Sequence, residues 1–325
     1  MIYRPVREKS PDVLNEQANC IFENTGYEEI SLSSLSISDY TGLPKLTDKL
    51  LEWTKDNMVS FSLPSLRVDS FTKELMEKVA SVRASSLTFA PEAGSQRLRD
   101  VINKNVREDD LMRAVNVAFD AGKTQVKLYF MQGLPTETEE DMLGIIDLAN
   151  KVAATYYDEI PKEKRNGRVQ VTASSSFFIP KPFTPLQWAT MLPPEEYNRR
   201  ARLVNDAKHA ALNHKSLRYM WHDPATSLLE GVFARGDRRL GAVIEDAVNH
   251  GARLDGWDEY FNYSKWYDAF RECGIEEDFY TTRGYGEDEI LPWDTIDVGV
   301  TKKFLLCERR RAYDGKITQD CRHGC

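Results

Sequence analysis

Short apolar runs alternate with amphipathic stretches along the first two thirds of the chain, from Ser10 to about His214. Each apolar run is bounded by Gly, Pro, Ser or Asp, which is typical of β-strands that alternate with helices. This order predicts βα units and a parallel sheet, and therefore an α/β fold. The predicted strands are Glu29–Ser33, Met58–Leu63, Ser86–Ala90, Gln125–Met131 and Val169–Phe178, with a sixth at Leu217–Trp221.

The clearest helix follows the fourth strand, because its apolar residues recur with a period of 3.6 and form one stripe. We expect this stripe to pack on the sheet. Thr136 and Glu139 have the spacing of a capping box, and four acidic residues in the first turns suit the positive end of a helix dipole. The stripe consists of Met142, Ile145, Ile146, Ala149, Val152, Ala153 and Tyr156.

The first element also reads as a helix, since Ser10 is a good N-cap and Pro11 suits the first helical position. A β/α array normally begins with a strand, and without that strand the neighbouring edge is unpaired. We therefore expect either that another chain supplies the first strand or that this sequence is a piece of a longer protein.

The length of 325 residues exceeds the usual size of a single core and predicts two modules. Four tryptophans, many tyrosines and frequent turn signals mark the part of the chain beyond residue 214. We predict a barrel core at residues 1–214 and an aromatic-rich, helical and irregular extension at residues 215–325 that covers the barrel.

The composition excludes several classes of protein. No apolar run approaches the ~20 residues that a membrane span needs, and the N-terminus lacks the apolar core of a secretory signal. The net charge of −8 does not indicate a nucleic-acid surface. We predict a solvated, charged turn, in preference to a phosphate contact, for the run Arg309, Arg310 and Arg311. Five cysteines do not form the framework of a secreted protein, and the cytoplasm is the expected location.

Polar residues and glycine follow four of the predicted strands, at the edge where β/α barrels build their active sites. Singly, each has a structural explanation, since Ser95 can cap a helix and Arg67 can pair with Asp69. Together they favour a site for a polar ligand. These residues are Ser33 and Ser34, then Ser65, Arg67 and Asp69, then Glu92 and Ser95, and finally Gly133, Pro135 and Glu137.

Three long segments resemble the radical S-adenosylmethionine (SAM) superfamily. Within it, they most resemble the large bacterial proteins that carry an upstream cobalamin-binding domain. The resemblance implies a partial β/α (TIM-like) barrel whose strand ends hold SAM. The segments are SLTFAPEAGSQRLRDVINKN, KLYFMQGLPTETEED and SSSFFIPKPFTPLQW.

The resemblance also assigns SAM-binding residues. It places Ser33 and Ser34 near the amino group of the methionine part, and Glu92 and Ser95 near the ribose. Lys104 is a partner for a carboxylate, Gly133, Pro135 and Glu137 belong to the fifth-strand motif of that family, and 177–182 lies near the adenine. Arg67 is included among the SAM-binding candidates.

Members of that superfamily bind a 4Fe-4S cluster through a CxxxCxxC loop after the first strand, and this sequence contains no such motif. In the full-length form the resemblance implies reductive cleavage of SAM or methyl transfer through cobalamin. We expect this chain to be inactive alone and to require a missing N-terminal segment with the loop. Cys321 and Cys325 have the spacing of two cluster ligands, but free thiols are the preferred reading. The other three cysteines are expected to be packing residues.

His222, Asp223 and Arg235 are weaker candidates for a substrate site, since a histidine held by a neighbour can act as an acid or base. A structural role beside a helix cap is the alternative. Two rival functions remain open. One is a non-catalytic nucleoside-binding or partner protein with a degenerate barrel, and the other is a hydrolase that uses Glu92 and Glu137 as a carboxylate pair.

Overall fold

The computed structural model describes residues 7–32, 34, 37, 40–62 and 87–319. The strands are β1 (Glu29–Ser31), β2 (Ser60–Ser62), β3 (Leu87–Glu92), β4 (Gln125–Gln132), β5 (Gln170–Phe177) and β6 (Leu217–Trp221). The helices up to residue 210 are α1 (Pro11–Thr25), α2 (Leu43–Thr54), α3 (Gln96–Val101), α4 (Glu108–Asp120), α5 (Glu139–Glu159) and α6 (Pro194–Ala210). The later helices are α7 (Pro224–Arg235), α8 (Leu240–Asn249), α9 (Tyr263–Glu272) and α10 (Lys302–Tyr313).

The main sheet has four parallel strands in the order β3-β4-β5-β6. Strands of this kind need a crossover between neighbours, and helices α3 to α6 supply it. The predicted α/β fold and all six predicted strands are confirmed. The architecture is consistent with a partial β/α barrel.

One face of this sheet forms the largest core. Val126, Leu128 and Phe130 of β4 point to the same side, because side chains alternate along a strand. They are fully buried against the apolar stripe of α5, which includes Ile145 and Val152. The predicted amphipathic helix is thus confirmed, and its apolar stripe packs on the sheet as expected.

The capping box of α5 lies two residues later than the sequence predicted. Thr138 is the N-cap and accepts from the backbone N–H of Asp141, whose carboxylate accepts from the backbone N–H of Thr138. The predicted pair, Thr136 with Glu139, is wrong because Thr136 has a φ of +66° within a turn. A helix cannot begin until the chain has left that left-handed conformation.

A second, two-stranded parallel sheet joins β1 to β2. Ser10 is the N-cap of α1 and Pro11 is its first residue, as predicted. Leu46 and Leu50 of α2 pack against Ala18 of α1 in a small separate core.

Helices α7, α8 and α9 form another core in the C-terminal part, built on Val232, Val243, Trp266 and Phe270. Strand β6 pairs with β5 and so belongs to the main sheet. The division of the chain into two domains at residue 214 stays a prediction. None of the helices in the described ranges has the length and apolar character that crossing a membrane requires.

The cysteines and the arginine run differ from their predicted settings. Cys20 and Cys307 are exposed and Cys273 is half-buried, so the expectation of three buried packing residues is wrong for the first two. Cys321 and Cys325 lie outside the described residues. The run Arg309–Arg311 lies in α10 and not in a turn, and each of its three side chains approaches a carboxylate.

Candidate functional site

Three loops meet at the carboxyl edge of the main sheet: 93–95 after β3, 133–138 after β4 and 178–183 after β5. In parallel β/α folds this edge is where ligands bind, since each loop leads from a fixed strand into a helix. The loops after β3 and β4 carry most of the predicted SAM-binding residues that the structure describes.

Strand β3 ends in a strained residue, which leads into the loop that follows. Glu92 has a φ of +68°, and the register between β3 and β4 shifts between Phe89 and Glu92. Its carboxylate lies 3.2 Å from the ammonium of Lys104, so the two predicted residues form an ion pair with each other. A non-glycine residue held in this region of φ is uncommon and persists only where its surroundings enforce it.

A buried arginine is part of those surroundings. Arg99 is 1% exposed and donates to the carbonyls of Ala93 at 2.9 Å and Gly94 at 3.3 Å. Burial lowers the pKa of its guanidinium from the ordinary value. Because both carbonyls belong to the loop after β3, Arg99 fixes the path of that loop.

Ser95 joins the loop after β3 to helix α5. It caps α3 by accepting from the backbone N–H of Leu98, as the structural reading of the sequence proposed. Its hydroxyl also donates to the buried carboxylate of Asp141, which receives Arg97 on its other oxygen. Burial alone would raise the pKa of Asp141, but the hydrogen bonds from Arg97, Ser95 and Thr138 outweigh it and lower the pKa.

The loop after β4 folds around Glu137. The side chain of Glu137 is 1% exposed and accepts from the backbone N–H of Gly133 at 2.8 Å and from Arg200 of α6 at 2.6 Å. Burial is the largest influence on this group and raises its pKa to about 7, against the lowering effect of Gly133 and Arg200. Glu137 therefore stabilises the turn through Gly133 and connects it to α6 through Arg200.

Gly133 meets a steric requirement in the same turn. Its φ is +83°, and a Cβ at this position would lie 2.5 Å from the ring of Tyr197. Glycine is the residue that tolerates both conditions. Pro135, the third predicted residue of this loop, is half-buried in the turn.

A cavity of about 250 Å³ lies beside these loops. Its walls are largely apolar and include Met131 at the end of β4, Leu134 in the loop after β4, and Phe178 after β5. Asn103 and Lys181 add polar groups. Helix α10 and the segment after it contribute Glu308, Ala312, Lys316 and Thr318.

The structure brings some predicted residues to this cavity and places others elsewhere. The segment 177–182, which the resemblance predicts to lie near the adenine, supplies Phe178, Ile179 and Lys181 to its lining. Glu92, Ser95 and Glu137 instead hold the neighbouring loops in place through the contacts described above. Ser34 is exposed, and Ser33 and Arg67 lie outside the described residues.

The carboxylates of Glu92 and Glu137 are engaged in separate contacts, the first with Lys104 and the second with Gly133 and Arg200. Paired catalytic carboxylates must face one substrate, and these two side chains do not share a partner. The arrangement gives no support to the hydrolase reading.

The candidate substrate residues have different settings. His222 is exposed, and its backbone N–H donates to Ser175 at 3.1 Å. Asp223 caps α7 by accepting from the N–H of Thr226 at 2.8 Å. Arg235 is fully buried, stacks on Tyr285 at 4.3 Å, and has a pKa that burial lowers to about 10. A substrate role for this group stays a prediction.

Several lining residues were not predicted from the sequence. Leu134 lay within the recognised Gly-Leu-Pro turn and could have been included for its apolar character. Asn103 lies within the first of the three recognised segments but was not singled out, and Ala312 and Thr318 lie outside those segments. These residues meet at the cavity through the packing of α10 near α3.

Comparison with known proteins gives one family and several relatives. Residues 1–149 match the Radical SAM superfamily. An uncharacterized protein of Methanocaldococcus jannaschii is 30% identical over 274 residues, which is 84% of this chain and 56% of that protein. A tRNA-2-methylthio-N(6)-dimethylallyladenosine synthase of Carboxydothermus hydrogenoformans is 25% identical over 187 residues, 50% of this chain and 42% of that protein.

Among solved structures, Streptococcus suis SuiB bound to the precursor peptide SuiA is similar at 11% identity with a TM-score of 0.46. The match covers 71% of this chain and 46% of SuiB. The chain spans about half the length of the curated relatives it matches.

Proposed function

We propose, from the premise that residues 1–149 carry a radical SAM superfamily domain, that this chain binds S-adenosylmethionine at the carboxyl edge of its main sheet. The observation that carries the proposal is the apolar cavity of about 250 Å³ at the ends of β4 and β5. It lies beside the three loops in which the sequence resembles the SAM-binding motifs of that superfamily.

The residues around the cavity fit an adenosine group. A flat, largely apolar base suits walls made by Met131, Leu134 and Phe178, and Asn103 and Thr318 offer polar atoms nearby. The neighbouring loops are held by buried polar contacts, so the cavity is preformed. In this proposal the chain binds and orients SAM, while Ser33, Ser34 and Arg67 remain predicted contacts.

In the radical SAM superfamily, SAM supplies a 5′-deoxyadenosyl radical when a 4Fe-4S cluster reduces it. The described cysteines do not fit such a cluster, because Cys20 lies in α1, Cys273 follows α9 and Cys307 lies in α10. The sequence also contains no CxxxCxxC motif. The N-terminal cluster loop therefore stays a prediction, as does cobalamin-dependent methyl transfer.

Calorimetric titration with SAM tests the proposal. Ala312 is 8% exposed and lines the cavity, so Ala312→Trp should fill it and weaken SAM binding at least tenfold. Ala242→Trp, at an exposed position of α8, is the matched control and should bind as the wild type does. No binding by the wild type, or equal binding by Ala312→Trp with an unchanged thermal midpoint, would contradict the proposal.

A non-catalytic nucleoside-binding protein is the second candidate, and the observation that favours it is that the described lining residues of the cavity include no cysteine. Adenosine binding as tight as SAM binding would support this alternative. Production of 5′-deoxyadenosine after anaerobic reconstitution with iron and sulfide, in the presence of a reductant, would exclude it and would show that this chain is active alone.

A further inference from the structure

The face of the main sheet opposite the large core is polar and partly open. Leu217 and Tyr219 of β6 belong to the large core, as Val126 and Leu128 of β4 do. Side chains alternate along a strand, so the residues that alternate with these on each strand point to the opposite face. Tyr129 is 39% exposed on that side and Met220 is 42% exposed. We call this surface the open face; it comprises Thr88, Ala90, Gln125, Lys127, Tyr129, Met131, Gln170, Thr172, Ser174, Ser176, Arg218 and Met220.

Two cations lie in one row across the open face. The strand register places Lys127 of β4 beside Thr172 of β5, and Thr172 beside Arg218 of β6. Neighbouring strands are ~4.8 Å apart, so the Cα atoms of the two cations are separated by about 10 Å with the threonine between them. Long side chains at that separation can converge on one ligand above the hydroxyl.

Neither cation has an acidic partner among the residues that the structure describes. Lys127 contacts the ring of Tyr129 at 4.6 Å, on the same face. Within the described ranges, neither Lys127 nor Arg218 forms a salt bridge. By contrast, Glu92, at the end of β3, is paired with Lys104.

The sign of charge on the open face is opposite to that of the whole chain. The protein carries a net charge of −8, yet the open face contains Lys127 and Arg218 and no carboxylate. A guanidinium, an ammonium and a hydroxyl together are the groups that bind phosphate and carboxylate in proteins.

We propose that Lys127, Thr172 and Arg218 form an anchor for the anionic group of the substrate, with a phosphate ester as the best fit. Lys127 precedes the end of β4 by several residues, and Met131 lies four residues further along the strand. At ~3.3 Å per residue this places the anchor about 13 Å from the level of Met131. The substrate is therefore an elongated molecule, anionic at one end, whose reacting part extends past Tyr129 toward the SAM cavity.

This inference rests on the proposed function for the type of reaction. Binding of an anion to the anchor, however, can be measured without SAM. The probe is inorganic pyrophosphate in a calorimetric titration. A parallel titration with succinate tests whether the anchor prefers a carboxylate. Lys127→Gln/Arg218→Gln should weaken pyrophosphate binding at least tenfold, because two charge-assisted contacts are lost. Tighter binding of succinate than of pyrophosphate would overturn the choice of a phosphate ester.

A matched double variant removes the same two charges elsewhere. Arg113 and Lys151 are exposed cations on the outer helices α4 and α5, where each pairs with a carboxylate. Arg113→Gln/Lys151→Gln should bind pyrophosphate as the wild type does. Equal weakening in both double variants, or no binding by the wild type, would overturn the anchor.

SAM titrations of the same proteins separate the two proposals. Retained SAM binding with lost pyrophosphate binding in Lys127→Gln/Arg218→Gln supports both. If the wild type binds pyrophosphate through the anchor but fails to bind SAM, the proposed function is wrong and the anion site stands. Circular dichroism and thermal midpoints confirm that each variant is folded.

Discussion

Glu137 is a predicted SAM-binding residue whose burial indicates a structural role. It lies in a turn that resembles a SAM-binding motif, yet its carboxylate accepts from Gly133 and Arg200 and is almost fully buried. The side chain therefore supports the site by fixing the turn. A carboxylate that loses this much hydration is more easily protonated, which gives Glu137 a measurable signature.

Glu137→Gln should change the pH dependence of stability. Burial raises the pKa of Glu137 to about 7 in the folded state, from an ordinary value of 4.5. Below pH 4.5 the Glu137 carboxyl group is protonated in both the folded and the unfolded state, and its contribution to the free energy of unfolding is fully present. This contribution is lost as the pH rises to 7, because the carboxyl group ionises first in the unfolded chain. The wild type should lose on the order of 3 kcal/mol relative to Glu137→Gln across this range.

Urea denaturation of both proteins at pH 4.5, 5.5, 6.5 and 7.5 measures this difference. The variant keeps an acceptor for Gly133 and lacks the titrating group, so changes common to both proteins cancel. A stability difference that is flat with pH, or that grows in favour of the wild type as pH rises, would show that Arg200 outweighs burial.

At the level of secondary-structure elements, the loop after β3 and helix α5 pack in direct contact with each other. A Cβ on Gly94 would lie 2.4 Å from the backbone of Asp141 and Ile145, so the loop after β3 rests directly on helix α5. Gly144, on the helix side of the contact, is less restricted, since its Cβ would lie 3.1 Å from Gly94. Ser95 and Asp141 add a buried hydrogen bond across the same junction.

Gly94→Ala should destabilise the protein by about 3 kcal/mol, because backbone atoms on both sides must move to admit a methyl group. Gly144→Ala should change stability by less than about 1 kcal/mol, since the helical preference of alanine offsets the milder crowding. Chemical denaturation measures both. Equal effects of the two substitutions would show that the close approach does not decide the fold of this junction.

At the scale of the whole molecule, the C-terminal segment completes a cavity that the strands only begin. The backbone N–H of Thr318 donates to the side chain of Asn103 at 3.0 Å, and the Thr318 hydroxyl donates to Glu308. The contact between Thr318 and Asn103 joins residues 215 positions apart in the sequence. The cavity therefore depends on how α10 and the described segment after it pack beside α3.

Asn103→Gly should loosen the segment from residue 302 to 319 without unfolding the sheet. Glycine retains the φ of +53° that Asn103 adopts, while the acceptor for Thr318 is lost. We expect faster amide hydrogen exchange in that segment and a nearly unchanged thermal midpoint. Asn103→Asp keeps an acceptor and is the control; equally fast exchange in both variants would mean that the hydrogen bond does not hold the segment.

We could predict the strands, the main amphipathic helix and the α/β class from the sequence, because side-chain periodicity and turn residues act over a few neighbouring residues. It also marked the loops after β3 and β4, since their motifs are contiguous. Tertiary structure decided where those side chains point: Glu137 turns to Arg200, Glu92 pairs with Lys104, and Lys127 shares a row with Arg218. These contacts join residues from different elements, and burial and strand register arise only when the elements pack.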